Sequence, residues 1–356
     1  MKVGILGAGQ LARMLALAGI PRGIEFVFYD PNPTSCAAQL GEFICGEYDD
    51  HQKLDQFASK VDVVSIESEN IPVETLNYLQ KHVSVHPSPE AVSTSQDRLI
   101  EKKLFTQLKI PAPAFFAIDS AEQLEQVAQQ HGDTLVIKTR RFGYDGKGQA
   151  MLKKPEQANE IWHELGADSL IAEQFMKFSR EVSLIAVRGQ QGDIQYYPLI
   201  QNLHQNGILV KSQTSLNDPL QSLAEDHAKK ILSELSYVGV LVFEFFVCGE
   251  ILVANEIAPR VHNSGHWTIE GAATSQFENH LRAILNIPLG ATNALFDCTM
   301  YNLVGNMPDS KAVMALENAS LHDYGKSPRE NRKLGHVTLC NATPENLSAV
   351  EAIIKQ

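Results

Sequence analysis

Two glutamates interrupt the most apolar part of the chain, and they limit the fold more than any other feature. Val240-Leu241-Val242-Phe243-Glu244 and Ile251-Leu252-Val253-Ala254-Asn255-Glu256 have the β-branched and aromatic content of buried strands. Strands over 240–247 and 251–257 are joined by Cys248-Gly249-Glu250, a short hairpin connection. A carboxylate in such a run is costly unless it is paired or holds a cation. Hairpin-related strands can aim two acids at one point, and Mg²⁺ prefers one or two carboxylates plus substrate phosphates to an all-protein cage. Glu244 and Glu256 are therefore the expected metal ligands. The plainer alternative is that each meets an arginine or faces solvent.

The remaining bulk properties bound what surrounds this hairpin. A chain of 356 residues suggests two or three domains, and 44% hydrophobic with 20% charged residues is a globular balance. The net charge is -12 with no run of five or more consecutive Lys or Arg, which argues against bulk nucleic-acid binding. A few local cations could still reverse the field inside a cleft for a phosphorylated small molecule. Five cysteines are scattered without a zinc spacing. The segment 235–247 is interrupted by Glu244 and too short to span a bilayer, and the N-terminus runs straight into a strand. The expectation is a cytoplasmic protein with no membrane or nucleic-acid partner.

Along the chain, strands over 3–7, 25–29 and 61–66 alternate with helical stretches, the pattern of βαβ units on a parallel sheet. A helix is expected over 95–108, closed by Pro111-x-Pro113. Short strands over 135–138 and 170–174 flank a glycine-rich loop, and 181–258 is strand-dominated. The tail ends in a helix over 344–355.

The first turn, Gly7-Ala8-Gly9-Gln10-Leu11-Ala12, fits G-x-G-x-x-A after a strand, and Asp30 ends the next strand. That is a dinucleotide-binding fingerprint, and an NAD(P)-dependent oxidoreductase is the rival reading. A doubly wound domain needs a tight first turn in any case, and no hydride-transfer site stands out downstream.

Nucleoside triphosphate chemistry is better represented. Lys138 ends an apolar strand, a rigid place to hold an ammonium against phosphate oxygens. Gly143-Tyr144-Asp145-Gly146-Lys147-Gly148-Gln149 can close over a polyphosphate and donate backbone N–H groups. Beyond Glu256, the run Arg260-Val261-His262-Asn263-Ser264-Gly265-His266-Trp267-Thr268 is dense in donors suited to an anion or a phosphorylated sugar.

Taken in order, Lys138, the glycine-rich loop and the two glutamates resemble the ATP-grasp superfamily. G-A-G-Q-L-A-R-M at 7–14, G-Y-D-G-K-G-Q at 143–149, N-L-H-Q-N-G at 202–207 and N-E-I-A-P-R-V-H-N-S-G-H-W-T at 255–268 narrow the likeness to the N5-carboxyaminoimidazole ribonucleotide synthase family. The resemblance covers nearly the whole chain. It implies an α/β fold, α+β in its centre: a Rossmann-like pre-ATP-grasp domain (1–95), an ATP-grasp domain (96–290, lid approximately 112–172) and a small C-terminal domain (291–356). It also implies ATP-dependent carboxylation of 5-aminoimidazole ribonucleotide with bicarbonate, through carboxyphosphate, in purine (IMP) biosynthesis.

Roles carried over by the resemblance are the following. Arg98 and Lys138 contact ATP phosphates under the loop Gly143, Tyr144, Asp145, Gly146, Lys147, Gly148 and Gln149. Glu173, Gln174, Phe175 and Met176 line the adenine slot, Glu181 holds the ribose, and His204 and Asn255 lie near the nucleotide. Glu244 and Glu256 bind Mg²⁺. Tyr144, Asp145, Arg260, His262, Asn263 and Ser264 surround the ribonucleotide, Lys326 and Arg332 (with Lys333) reach its phosphate, and Gln10 and Glu67 stand at the substrate side. Arg260, Asp145 and Lys147 are the catalytic candidates. Family members are typically homodimers. The chain departs at Lys147, where many relatives carry Arg, and at Ala258, where other ATP-grasp enzymes place a metal-binding Asn. A formate-dependent glycinamide ribonucleotide transformylase-like ligase, a biotin-dependent carboxylase subunit and a non-catalytic nucleotide sensor are further alternatives.

Overall fold

The computed structural model describes residues 1–132, 134–143 and 146–354. The N-terminal part is a five-stranded parallel sheet in the order Glu42–Cys45, Glu25–Asp30, Lys2–Leu6, Val63–Ile66, Ser84–Val85. Its strands read as continuous apolar runs because both faces are covered. The order reverses beside the first strand, so the loops after Leu6 and Ile66 open a crevice at the carboxyl ends.

A nine-stranded sheet forms the body. Its order runs Ile251–Ala258, Gly239–Cys248, Arg180–Arg188, Ile200–Gln205, Ile208–Thr214, Cys298–Val304, Lys333–Cys340, Ala319–Asp323, with Ile194–Tyr196 also paired to Arg180–Arg188. Lys211, Ser212 and Gln213 pair with Tyr301, Met300 and Thr299, so the C-terminal strands extend the central sheet instead of forming a sheet of their own. The first helix, Gln10–Gly19, packs Leu11, Met14 and Leu15 into one core with Trp267, Phe277 and Leu281. N-terminal and central parts are thereby welded together.

A smaller antiparallel sheet, Phe115–Ile118, Leu170–Gln174, Leu135–Thr139, Gln149–Leu152, carries the helices Ala121–His131 and Ala158–Leu165 over its own core. The chain enters it through 108–114, anchored where the Ala254 N–H donates to the Pro111 carbonyl at 2.7 Å.

The helix expected over 95–108 is two helices, Pro89–Gln96 and Arg98–Gln107. Asp97 breaks them, since its carboxylate caps the Leu99 and Ile100 N–H groups and pairs with Arg140. Among the described residues no helix is long and apolar enough to cross a membrane.

Candidate functional site

Glu244 and Glu256 are direct cross-strand partners on the two strands of the hairpin. The ladder shifts between Glu244 and Phe245: Phe245 pairs with Ala254, and Asn255 is the extra residue of a β-bulge. Without that slip Glu256 would face the apolar core beside Ala254 and Phe243; with it, Glu256 shares a face with Glu244. Like charges directly opposite are unfavourable. Burial, then Glu256, pushes the Glu244 carboxyl up to about 7. One guanidinium, that of Arg98, reaches Glu256, and the pair's remaining hard oxygen donors suit Mg²⁺. No group of three His, Cys, Asp or Glu converges as a metal cage among the described residues, so other ligands would come from water and substrate.

Arg98, at the start of its helix, links this pair to the glycine-rich loop. Its Nη1 lies 3.1 Å from Glu256 Oε2, and its Nη2 donates to the Gly143 carbonyl at 3.1 Å. Gly146 has φ +75°, and a Cβ there would press on the backbone of Asn206 and Gly207, the turn between two body strands. Glycine is required because the loop lies directly against that hairpin. Gln149 opens the following strand. Tyr144 and Asp145 fall outside the described residues.

Lys138 Nζ sits 3.0 Å from Glu173 Oε2, and the buried Lys102 ammonium lies 3.6 Å from the same oxygen. Burial works against the Glu173 charge, but the two ammoniums hold the carboxyl below its usual range. Glu173 thus faces inward, while Gln174 and Phe175 are exposed and Met176 follows beyond the strand. Glu181 and His204 meet across adjacent strands, with Oε2 and Nδ1 2.6 Å apart.

The donor-rich run holds itself together. Ser264 donates its N–H to His262 Nδ1, which leaves the ring proton on Nε2, 3.4 Å from Glu244 Oε1. Burial, then Arg260, keeps His262 well below its ordinary value and hence neutral. Behind it a chain of buried groups runs Ser264, Ser183, Asn202, Ser212, with links of 2.9, 3.0 and 2.8 Å. Asn263 and Asn302 are paired through both amides. The Ser264 and Asn263 side chains therefore shape the wall from behind.

Arg260 forms a two-pronged pair with Glu69, Nη2 to Oε1 at 2.8 Å. Burial opposes the Glu69 charge, and the guanidinium holds it low. At the mouth of the N-terminal sheet Lys326 bonds Gln10, while Arg332 donates to the Ser327 carbonyl at 3.1 Å and Lys333 begins the next strand. Glu67 receives the Gly9 N–H at 2.5 Å and the Ala12 N–H at 3.1 Å, and Asp30 receives that of Ala8. The helix N-terminus that a dinucleotide phosphate would need is filled by the chain's own carboxylate. Glu69, Glu101 and Lys102 were not singled out by the sequence. Glu69 stands just past a parallel strand's carboxyl end, and Glu101 with Lys102 lies on an inward helix face; those positions were the available signals.

Family models match in three stretches: a ribonucleotide synthetase preATP-grasp domain over 1–96, an ATP-grasp domain over 103–277, and a phosphoribosylaminoimidazole carboxylase C-terminal domain over 298–350. The chain is 48% identical over its whole length to the N5-carboxyaminoimidazole ribonucleotide synthase of Pseudomonas aeruginosa, all of which it covers. It superposes on the crystal structure of the N5-carboxyaminoimidazole ribonucleotide synthetase of Thermus thermophilus with a TM-score of 0.95 at 46% identity, covering 99% of both chains. The Aspergillus clavatus enzyme, solved with ADP and 5-aminoimidazole ribonucleotide, gives 0.91 at 28% identity, over 99% of this chain and 97% of that one.

Proposed function

The chain belongs to the N5-carboxyaminoimidazole ribonucleotide synthase family of ATP-grasp ligases, and we propose how its own cleft performs that family's reaction. It is an ATP-dependent ligase that carboxylates 5-aminoimidazole ribonucleotide in purine biosynthesis. The observation that carries the site assignment is the register pairing of Glu244 with Glu256, joined by Arg98 to the glycine-rich loop.

In our reading bicarbonate takes the γ-phosphoryl group of ATP, giving carboxyphosphate and ADP, and the exocyclic amine of the ribonucleotide captures the carboxyl group. Phosphoryl transfer needs positioning and charge neutralisation more than a covalent nucleophile. Lys138 and Arg98 supply fixed cations along the phosphates, and the loop 143–149 covers them. Phe175 and Met176 border the adenine, and Glu181 with His204 the ribose. Arg260, aligned by Glu69, faces the carboxyphosphate and the ribonucleotide beside His262, with Asp145 and Lys147 closing from the loop. Gln10, Lys326 and Arg332 hold the 5′-phosphate end. Glu244 and Glu256 would hold Mg²⁺, which when bound neutralises phosphate oxygens. Water exclusion by the small sheet, as a lid, protects an acyl phosphate that hydrolyses readily.

We take 1–95, 96–290 and 291–356 as the functional divisions, supported by the separate cores of the lid and the C-terminal strands. A homodimer follows from the family habit, and a cytoplasmic setting is supported by the biosynthetic role of its relatives.

Coupled ADP release tests the reading. It should require the ribonucleotide, bicarbonate and Mg²⁺ together, and Glu256→Gln should abolish it in a folded protein. Equal ADP release with glycinamide ribonucleotide and formate, or tight NADH binding without ATP turnover, would overturn it.

A further inference from the structure

The helix Arg98–Gln107 places Arg98, Glu101 and Lys102 on one face, at i, i+3 and i+4. These three side chains meet four consecutive residues of the strand Ile251–Ala258, from Ala254 to Ile257. Lys102 Nζ donates to the Asn255 carbonyl and lies 3.4 Å from that of Ala254. Arg98 reaches Glu256 at 3.1 Å, and Glu101 Oε1 accepts the Ile257 N–H at 2.7 Å. Lys102 and Glu101 are each only 1% exposed. Burying two charges there is costly, and the contacts they make are concentrated on one irregularity of the ladder.

That irregularity is the bulge at Asn255. A bulged residue leaves the regular ladder, so its carbonyl needs another donor. The Lys102 ammonium is that donor, and the Glu101 carboxylate fixes the next N–H but one. We propose that Lys102, together with Glu101, is a positioning residue that holds the extra residue in place and keeps Glu256 turned toward Glu244. Loss of the bulge would return Glu256 to the face shared by Ala254 and Phe243. The same ammonium lies beside Glu173 and so ties the metal-side strand to the Lys138 contact. The inference rests on the reading of Glu244 and Glu256 as Mg²⁺ ligands.

Calorimetric titration with ADP, with and without Mg²⁺, separates the two. In the wild type Mg²⁺ should tighten ADP binding. Lys102→Met should lose at least about 10-fold of that tightening, with Mg²⁺-free affinity close to wild type. Lys102→Gln keeps a donor for the Asn255 carbonyl and should lose less than Lys102→Met. If Lys102→Met does not fold, the double variant Lys102→Met/Glu101→Gln removes the carboxylate left behind, keeps the acceptor for the Ile257 N–H and leaves Glu173 its Lys138 partner, and it should show the same loss. Full Mg²⁺ tightening in either folded Met variant overturns the positioning role. Absence of Mg²⁺ tightening in the wild type overturns the metal reading itself, and the inference with it.

Discussion

The carboxylate of Glu67 sits on the N–H of Gly9, 2.5 Å away, and a Cβ added to Gly7 would collide with Glu67 Cγ. The first-turn glycines therefore make room for a glutamate from the end of a neighbouring strand. Gly7 also has φ +92°. Gly7→Ala should destabilise by roughly 1–3 kcal/mol from crowding, with a further strain cost. Part of that loss should vanish in a Glu67→Ala background. An equal loss of Tm in both backgrounds would show that Glu67 is not what the glycine accommodates.

Glu244 gives a pH signature. A carboxyl raised from 4.5 to about 7 binds its proton more tightly folded than unfolded. It therefore costs stability progressively as pH rises through that interval. Without nucleotide or metal, Glu244→Gln should gain on the wild type by up to ~3 kcal/mol between pH 4.5 and 7, while losing ADP production. A Tm difference that does not change with pH would contradict the like-charge pairing.

Glu69 should matter through Arg260. Glu69→Gln loosens the guanidinium and should lower kcat/KM on the order of 100-fold, as misplacement of a substrate-facing group does. Combining it with Arg260→Ala should cost little more than Arg260→Ala alone. Fully additive losses would mean that the two residues act separately.

His204 carries a second titration. Burial alone would lower it, but the contact with Glu181 and the nearby Glu244 hold its imidazole above 6.5. The stabilisation from this pair is complete below 6.5 and fades as pH rises through the folded value. Glu181→Gln should move the His204 titration downward, read from its ring signals by NMR. An unmoved titration would assign the shift to some other neighbour.

Much of this was legible in the sequence for local reasons. Buried parallel strands read as apolar runs, and two acids inside such runs stand out wherever they fall. Glu256 opposite Glu244 was legible as a pair, but the bulge that makes them face one another was not, since Asn255 carries no local mark of it. Glu67 and Gly9 are 58 residues apart, so no window shows that the dinucleotide fingerprint is occupied from within. Asp97 looked like helix interior because capping and continuing acids share one composition. Lys102 carries no local mark of its role, since its partners lie on a distant strand.

The strand Ile208–Thr214 lies between Ile200–Gln205 and Cys298–Val304. During synthesis its outer edge stays bare until residues near 300 have left the ribosome, and a chain cut at 290 would keep it bare for good. Open edges template aggregation. The C-terminal strands are thus a cover the body cannot shed, and trimming them for expression or fusion would expose an aggregating edge as well as remove Lys326 and Arg332.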